Sequence, residues 1–327
     1  MKKSLFVIFF LLLLAAQSCR NGRPSEEVIS QGEEVPIFDA DSAMVYLNAQ
    51  CSFGPRVMNS EAHEACGIYI ENKFREYGFH VHRQEAEFLR YDGLKMKGYN
   101  IIAQQLPEAT DRLLVAAHWD SRPWADNDPD ERNWKSPVIA ANDGASGVAV
   151  MIELARQISI RSPQVAIDFV CFDAEDVGIP QWENSLIDRS DTWCLGAQLW
   201  AKNLHSRAFR FGILLDMVGG RGAYFYREGY SQRYAAHVVE MVWNAARASG
   251  NGSFFIDDDS GFVTDDHVPV NRDAHIPMVD ILPYYPTAES GFGPTWHTVS
   301  DTPDNIDPNT LKAVGQTLLH LIYNQQP

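Results

Sequence analysis

The sequence predicts an α/β three-layer sandwich, a single twisted, mixed central sheet with helices on both faces. Three observations carry that expectation. Apolar runs and amphipathic stretches alternate from residue 38 onward, as they do where helices join the strands of one sheet. No linker, low-complexity tract or repeat breaks the alternation. The composition, 45% hydrophobic and 21% charged over 327 residues, is that of a globular chain with a sizeable core.

In chain order, residues 1–18 read as a secretory signal peptide. Lys2 and Lys3 precede an uncharged apolar run over residues 5–16, followed by Gln17 and Ser18. That run falls short of the ~20 residues a membrane-spanning helix needs. Residues 19–37 are polar and acidic, with Gly22, Pro24 and Gly32, and read as a flexible tether. Residues 38–327 then form one folded domain.

Strands are expected over 99–106 and 112–117, with Pro107, Glu108, Ala109 and Thr110 as the turn between them. A helix is expected over 143–159, starting beside Gly144. Buried strands follow at 165–172 (VAIDFVCF) and 209–217 (FRFGILLDM). Residues 231–248 read as an amphipathic helix and 277–282 as a strand. The last helix spans 308–323, with Leu311, Val314, Leu318 and Ile322 on one face. Segments 122–137 and 178–191 lack any apolar period and read as ordered loops at a site mouth, Trp124 and Trp134 anchoring the first.

There are 43 acids against 27 bases, a net charge of −16. Such a surface repels phosphate backbones, so no nucleic-acid partner is expected. Five cysteines are too few for a disulfide scaffold, and none forms a C-x-x-C pair. Cys51 and Cys66 are open candidates for a bridge in an oxidising compartment, while Cys171 reads as a small core hydrophobe. His80 and His82 read as surface residues.

In sheets of this class the chemistry lies in loops past the strand ends. Here each strand end is polar. His118, Trp119, Asp120 and Ser121 follow the second strand, and Asn142, Asp143 and Gly144 open the first helix. Asp173, Ala174, Glu175 and Asp176 follow the third strand, and Asp216 closes the fourth. Thr264, Asp265, Asp266 and His267 come next, then Thr295, Trp296, His297 and Thr298. One acid at a strand end is an ordinary cap or solvated turn. Six such clusters brought together repel unless a cation holds them, and His with carboxylates is a zinc-type donor set. Other chemistries are absent from the pattern. His63-Glu64 is not part of H-E-x-x-H, Gly144–Gly147 lacks the G-x-S-x-G spacing, and there is neither a P-loop nor a dinucleotide fingerprint.

In order and context the clusters resemble the co-catalytic zinc aminopeptidase family, and within it the cyclising branch, the type II glutaminyl-peptide cyclotransferases. The family's positions correspond to His118, Asp143, Glu175, Asp176, Asp216 and His297, with Asp176 where Glu is usual. Three features resemble the cyclases. Trp296 immediately precedes His297; Thr264-Asp265-Asp266-His267-Val268-Pro269 is similar to their D-D-H-x-P loop; and Trp182 follows Asp176 by six residues.

The resemblance implies one zinc per chain on Asp143, Asp176 and His297. It also implies Glu175, Asp216 and Asp265 as the acid–base residues, and Trp182 and Trp296 as the walls of the substrate pocket. Asp280 stands where animal cyclases carry His, which leaves its role open. The implied reaction converts N-terminal glutamine of peptides and proteins, and glutamate more slowly, to pyroglutamate. A dinuclear zinc aminopeptidase is the alternative, with His118, Asp143 and Asp216 on a second zinc. A catalytically inert binding lipoprotein on the same fold is the third reading. Cys19 after Ser18 resembles a bacterial lipoprotein signal, which implies an exported, periplasmic, lipid-anchored protein. The family resemblance also implies a monomer.

Overall fold

The computed structural model of the chain describes residues 35–183, 189–204, 209–288 and 290–326. The expected signal peptide, Cys19 and nearly all of the tether lie outside the described residues. Val35–Pro327 form one compact unit.

Helices α1 (Ala40–Ser52) and α2 (Glu61–Glu76) precede a hairpin of β1 (His80–Leu89) and β2 (Lys95–Gln104). Strand β3 (Arg112–His118), helix α3 (Ala145–Ile160) and strand β4 (Ala166–Phe172) follow. Next come α4 (Leu195–Lys202), β5 (Gly212–Leu215), β6 (Phe225–Glu228) and α5 (Gly229–Ala248). The chain ends with β7 (Phe255–Gly261), α6 (His267–Asp273), β8 (Met278–Ile281) and α7 (Pro308–Tyr323).

Six strands form one sheet in the order β1-β2-β4-β3-β5-β8. The neighbours β1–β2 and β2–β4 are antiparallel, whereas β4, β3, β5 and β8 run parallel. A separate parallel pair joins β6 to β7. The parallel strands are apolar almost throughout because helices cover both of their faces. Along β3, Leu113, Val115 and Ala117 enter the larger core, which residues of α1, α3, α5 and α7 share. Leu114 and Ala116 point the other way, towards Ala197 and Trp200 of α4 and Val270 of α6. This is the three-layer arrangement the sequence predicts.

The boundaries differ in one instructive place. The strand expected over 209–217 shrinks to Gly212–Leu215, and Met217 takes a left-handed φ of 50° that turns the chain out of the sheet. His80 and His82 are exposed on β1. Cys51, Cys66, Cys171 and Cys194 are buried free thiols, so the open question of a Cys51–Cys66 bridge resolves to two unpaired cysteines.

Candidate active site

The carboxyl ends of the parallel strands open into a cavity of about 480 Å³. Asp143, Glu175, Asp176, Asp216, Asp265 and His297 line it, with Trp193, Phe292 and Trp296 as aromatic walls.

Each polar residue is held by identifiable local structure. His118 ends β3 fully inside the protein, its Nε2 2.9 Å from Asp143 Oδ1 and 3.3 Å from Asp216 Oδ1. The chain passes over that ring at Gly144, with φ of 147°; a Cβ there would sit 2.7 Å from the imidazole, so only glycine fits. Asp301 accepts hydrogen bonds from the N–H groups of Asn142 (2.8 Å) and Asp143 (3.0 Å), which clamps the turn presenting Asp143.

After β4 the chain turns sharply at Ala174, φ 53°. The N–H groups of Glu175 and Asp176 donate to the two oxygens of Asp120 at 3.1 and 3.2 Å. Asp120 Oδ1 also lies 3.6 Å from His118 Nδ1, so one buried carboxylate registers both segments. His297 itself has a φ of 52°. Its Nε2 lies 3.0 Å from Asp176 Oδ1 and 3.6 Å from Asp143 Oδ2, and its Nδ1 lies 3.5 Å from Asp126 Oδ1. The ring is stacked between Trp296, at 3.9 Å between centroids, and Trp193, at 6.0 Å. Left-handed backbone at Ala174, Met217 and His297 concentrates strain beside Glu175, Asp216 and His297.

Burial pushes the Glu175 carboxyl well above its ordinary range; Asp176, Asp265 and Asp266 add to the rise, and the charge of His118 opposes it. Burial also lifts Asp216 to about 7, with the charges of Asp143 and Asp265 adding and the hydrogen bond from His118 opposing. Asp265 is likewise raised, chiefly by burial. Burial works against a charged His297, yet the Asp176 carboxylate carries its pKa up to about 9.

The family model that matches is that of peptidase family M28, over residues 100–322. The chain belongs to peptidase family M28. The glutaminyl cyclase of Tannerella forsythia is similar to this M28 chain, with a TM-score of 0.87 at 50% identity, covering 89% of this chain and 100% of that one. A Zn-dependent exopeptidase from Parabacteroides distasonis gives a TM-score of 0.87 at 48% identity, over 89% and 100% of the two chains. Aminopeptidase YwaD of Bacillus subtilis is 25% identical over 87% of this chain, which spans 57% of that protein's length.

Among the described residues of this M28 chain, four sets of donors are close enough to share a cation, and two of them contain Asp143. The ligand atoms of Asp143, Asp176 and His297 all lie within 4.8 Å of one another, as do those of His118, Asp143 and Asp216. The sets differ in how they are satisfied. Apart from the ion pair of Oδ1 with His297 Nε2 at 3.0 Å, neither carboxylate oxygen of Asp176 finds a hydrogen bond, although the residue is 1% exposed. In the second set, the His118 imidazole already bonds both carboxylates. Buried oxygens left without hydrogen bonds beside an imidazole fit a bound cation, and two carboxylates with one imidazole suit zinc.

The structure brings together Asp143, Glu175, Asp176, Asp216, Asp265, Trp296 and His297 in one cavity. Trp182 is not on the cavity wall. Its indole packs edge-on against Trp124 at 5.7 Å and stacks with Trp134 at 6.4 Å, which draws it into the neighbouring loop. Trp193 takes the wall position beside His297, backed by the Arg122 guanidinium at 4.6 Å. Gly178 makes room for it, since a Cβ there would sit 2.1 Å from the indole. Asp280 is buried beneath Asp265, in a cluster that His267 completes. His267 Nε2 lies 3.0 Å from Glu228 Oε2. The supporting acids Asp126 and Asp301 and the wall residue Trp193 carry no motif of their own, and sequence reasoning assigns them no role; Asp120 belongs to the polar cluster that follows β3, without a role of its own.

Proposed function

We propose that this chain cyclises the N-terminal glutamine of peptides and proteins to pyroglutamate, releasing ammonia, and acts more slowly on N-terminal glutamate. The observation that carries this reading is the placement of Glu175. It is a buried carboxyl with a raised pKa, set between the Asp143–Asp176–His297 donors and the Asp216–Asp265 pair, inside walls of Trp193 and Trp296. The 50% identity to the Tannerella forsythia glutaminyl cyclase supports it.

The α-amine nitrogen of the substrate attacks its own side-chain carboxamide carbon, and the bond from that carbon to the amide nitrogen breaks. Glu175 takes the proton lost by the attacking amine and returns it to the departing nitrogen, so the atoms balance without water. A carboxyl that must both accept and donate works best with a pKa near the operating pH, which burial favours here. Zinc held by Asp143, Asp176 and His297 supplies Lewis-acid polarisation of the carboxamide oxygen when bound. Burial raises both Asp216 and Asp265, which favours a neutral Asp216 able to donate a hydrogen bond, while Asp265 pairs with Asp280. Trp193, Phe292 and Trp296 enclose the side chain, and the intramolecular geometry contributes a high effective molarity.

Incubation with glutamine β-naphthylamide tests the reading. The expected products are ammonia and the pyroglutamyl amide; release of free naphthylamine with no ammonia would reject it. Chelation is expected to stop turnover and added zinc to restore it.

A second reading, a dinuclear aminopeptidase, has one observation in its favour, the His118–Asp143–Asp216 cluster. His118→Ala separates the two. On the cyclase reading it keeps one zinc per chain and loses only ~10–100-fold in rate, as expected for a group that orients ligands and binds no metal itself. Two zincs in the wild type, falling to one with all activity gone, would establish the peptidase. No zinc and no turnover in the wild type would leave an inert binding protein.

The chain also carries the marks of an exported periplasmic lipoprotein anchored through Cys19. Among the described residues no helix is long and apolar enough to cross a membrane. Cys19→Ala is the discriminating variant: it should lose lipid labelling and leave the membrane fraction. The catalytic unit is proposed to act as a monomer, which sedimentation of the soluble domain tests.

A further inference from the structure

We propose that Cys194 is a positioning residue for the general base, its thiol holding the Glu175 carboxylate by an S–H···O hydrogen bond. The inference rests on the cyclase reading only through the role of Glu175. Cys194 Sγ lies 3.3 Å from Glu175 Oε1, and among the described residues this is the hydrogen bond recorded to that carboxylate. The thiol also faces Asp265, so that one ligand atom from each of the three residues falls within 4.8 Å of the others.

The contact is built from both sides. The Cys194 N–H donates to the Glu175 carbonyl at 3.1 Å, and the Leu195 N–H to the Ala174 carbonyl at 3.0 Å. These two bonds lash the start of α4 to the turn that carries Glu175. Cys194 adopts a left-handed φ of 56°, unusual for a residue with a side chain, and it is 2% exposed. That backbone aims the thiol at the carboxylate while its neighbours Ala197 and Trp200 pack into the core. Burial first, then the negative charge of Glu175, keeps the thiol protonated and therefore a donor. A thiol is a weak donor. It can steady a carboxylate in one rotamer without holding on to it so strongly that proton transfer is suppressed.

Substituting the same position two ways separates hydrogen bonding from packing. Cys194→Ser keeps a donor, and Cys194→Ala removes it at nearly the same size. The serine variant is expected to retain kcat within about threefold. The alanine variant is expected to lose about tenfold in kcat with KM unchanged, the low end for a hydrogen bond to a charged group. Both are expected to keep wild-type zinc content and similar melting temperatures. Equal kcat in the two variants, or a loss confined to KM or to melting temperature, would overturn the proposal.

The kcat comparison is made on whichever product wild type forms, ammonia or naphthylamine. Failure of the cyclase reading therefore shows in the product, and failure of this inference in the alanine-to-serine ratio. A spectroscopic readout needs no turnover at all. The S–H stretching band lost in Cys194→Ser should lie below that of Cys171, a thiol buried in β4, and should rise when Glu175 is replaced by Gln. A band that does not move with Glu175 rejects the hydrogen bond.

Discussion

Glu175→Gln is expected to fold, bind zinc and turn over ~10²–10⁴-fold more slowly than wild type. The substitution is nearly isosteric and leaves an oxygen for the Cys194 thiol, so the turn after β4 has no reason to move. It also leaves the Asp143, Asp176 and His297 donors untouched. What it removes is the ability to take a proton from the attacking amine and hand it to the leaving nitrogen. The loss should therefore appear in kcat, with KM close to wild type. Steady-state pyroglutamate formation, metal analysis and a thermal melt measure the three quantities. Turnover within threefold of wild type would remove Glu175 from the proton path.

His297→Ala should yield protein that purifies without zinc and shows no measurable cyclisation. It deletes one of three donors and leaves the Asp176 carboxylate without its imidazole partner, while Asp143 keeps only the bond from His118. Two neighbouring carboxylates disfavour joint ionisation, so the remaining pair is a poor cation site. The ring also fills the gap between Trp193 and Trp296, and its loss should loosen both walls. His80→Ala, altered on the exposed edge of β1, is the matched control and should keep its metal. Unchanged zinc in His297→Ala would place the centre elsewhere.

The parts of the fold legible in the sequence are those whose burial is uniform. Strands β3 and β4 and helix α7 stand out because their buried positions are predominantly apolar, the buried charges Arg112 and Asp168 being paired with each other. Helix α1 does not, since its buried set mixes Ala43, Tyr46 and Leu47 with Gln50 and Cys51. Strand β7 reads FIDDDSG, and its acids are exposed at the edge of a two-stranded ribbon, so no alternating pattern marks it. The acids around the cavity were legible for a topological reason. Parallel strands all end on the same side, so every polar strand end points to one place. The aromatic wall was not legible in the same way. Trp182 and Trp193 both lie between β4 and α4, and nothing in the local sequence tells which indole meets Trp134 and which meets His297. Asp120 and Asp301 bind backbone N–H groups, which is what many turn aspartates do, and nothing local reveals whose N–H groups they are.

Asp120 has a mechanical consequence. It serves as a datum from which the imidazole of His118 and the main chain of Glu175 and Asp176 are all set. Positions gauged from one reference do not accumulate error between themselves. A breathing motion that displaces the ends of β3 and β4 carries the imidazole and the acid pair together, preserving their mutual spacing. The far wall answers to a different reference, because His297 leans on Asp126, which Arg122 grips through paired contacts of 3.1 and 2.6 Å. The Asp120 block and the Asp126 block meet at a joint that Arg122 also spans, donating to the Asp176 carbonyl at 3.0 Å. The Asp176–His297 pair, 3.0 Å across, is where that joint closes.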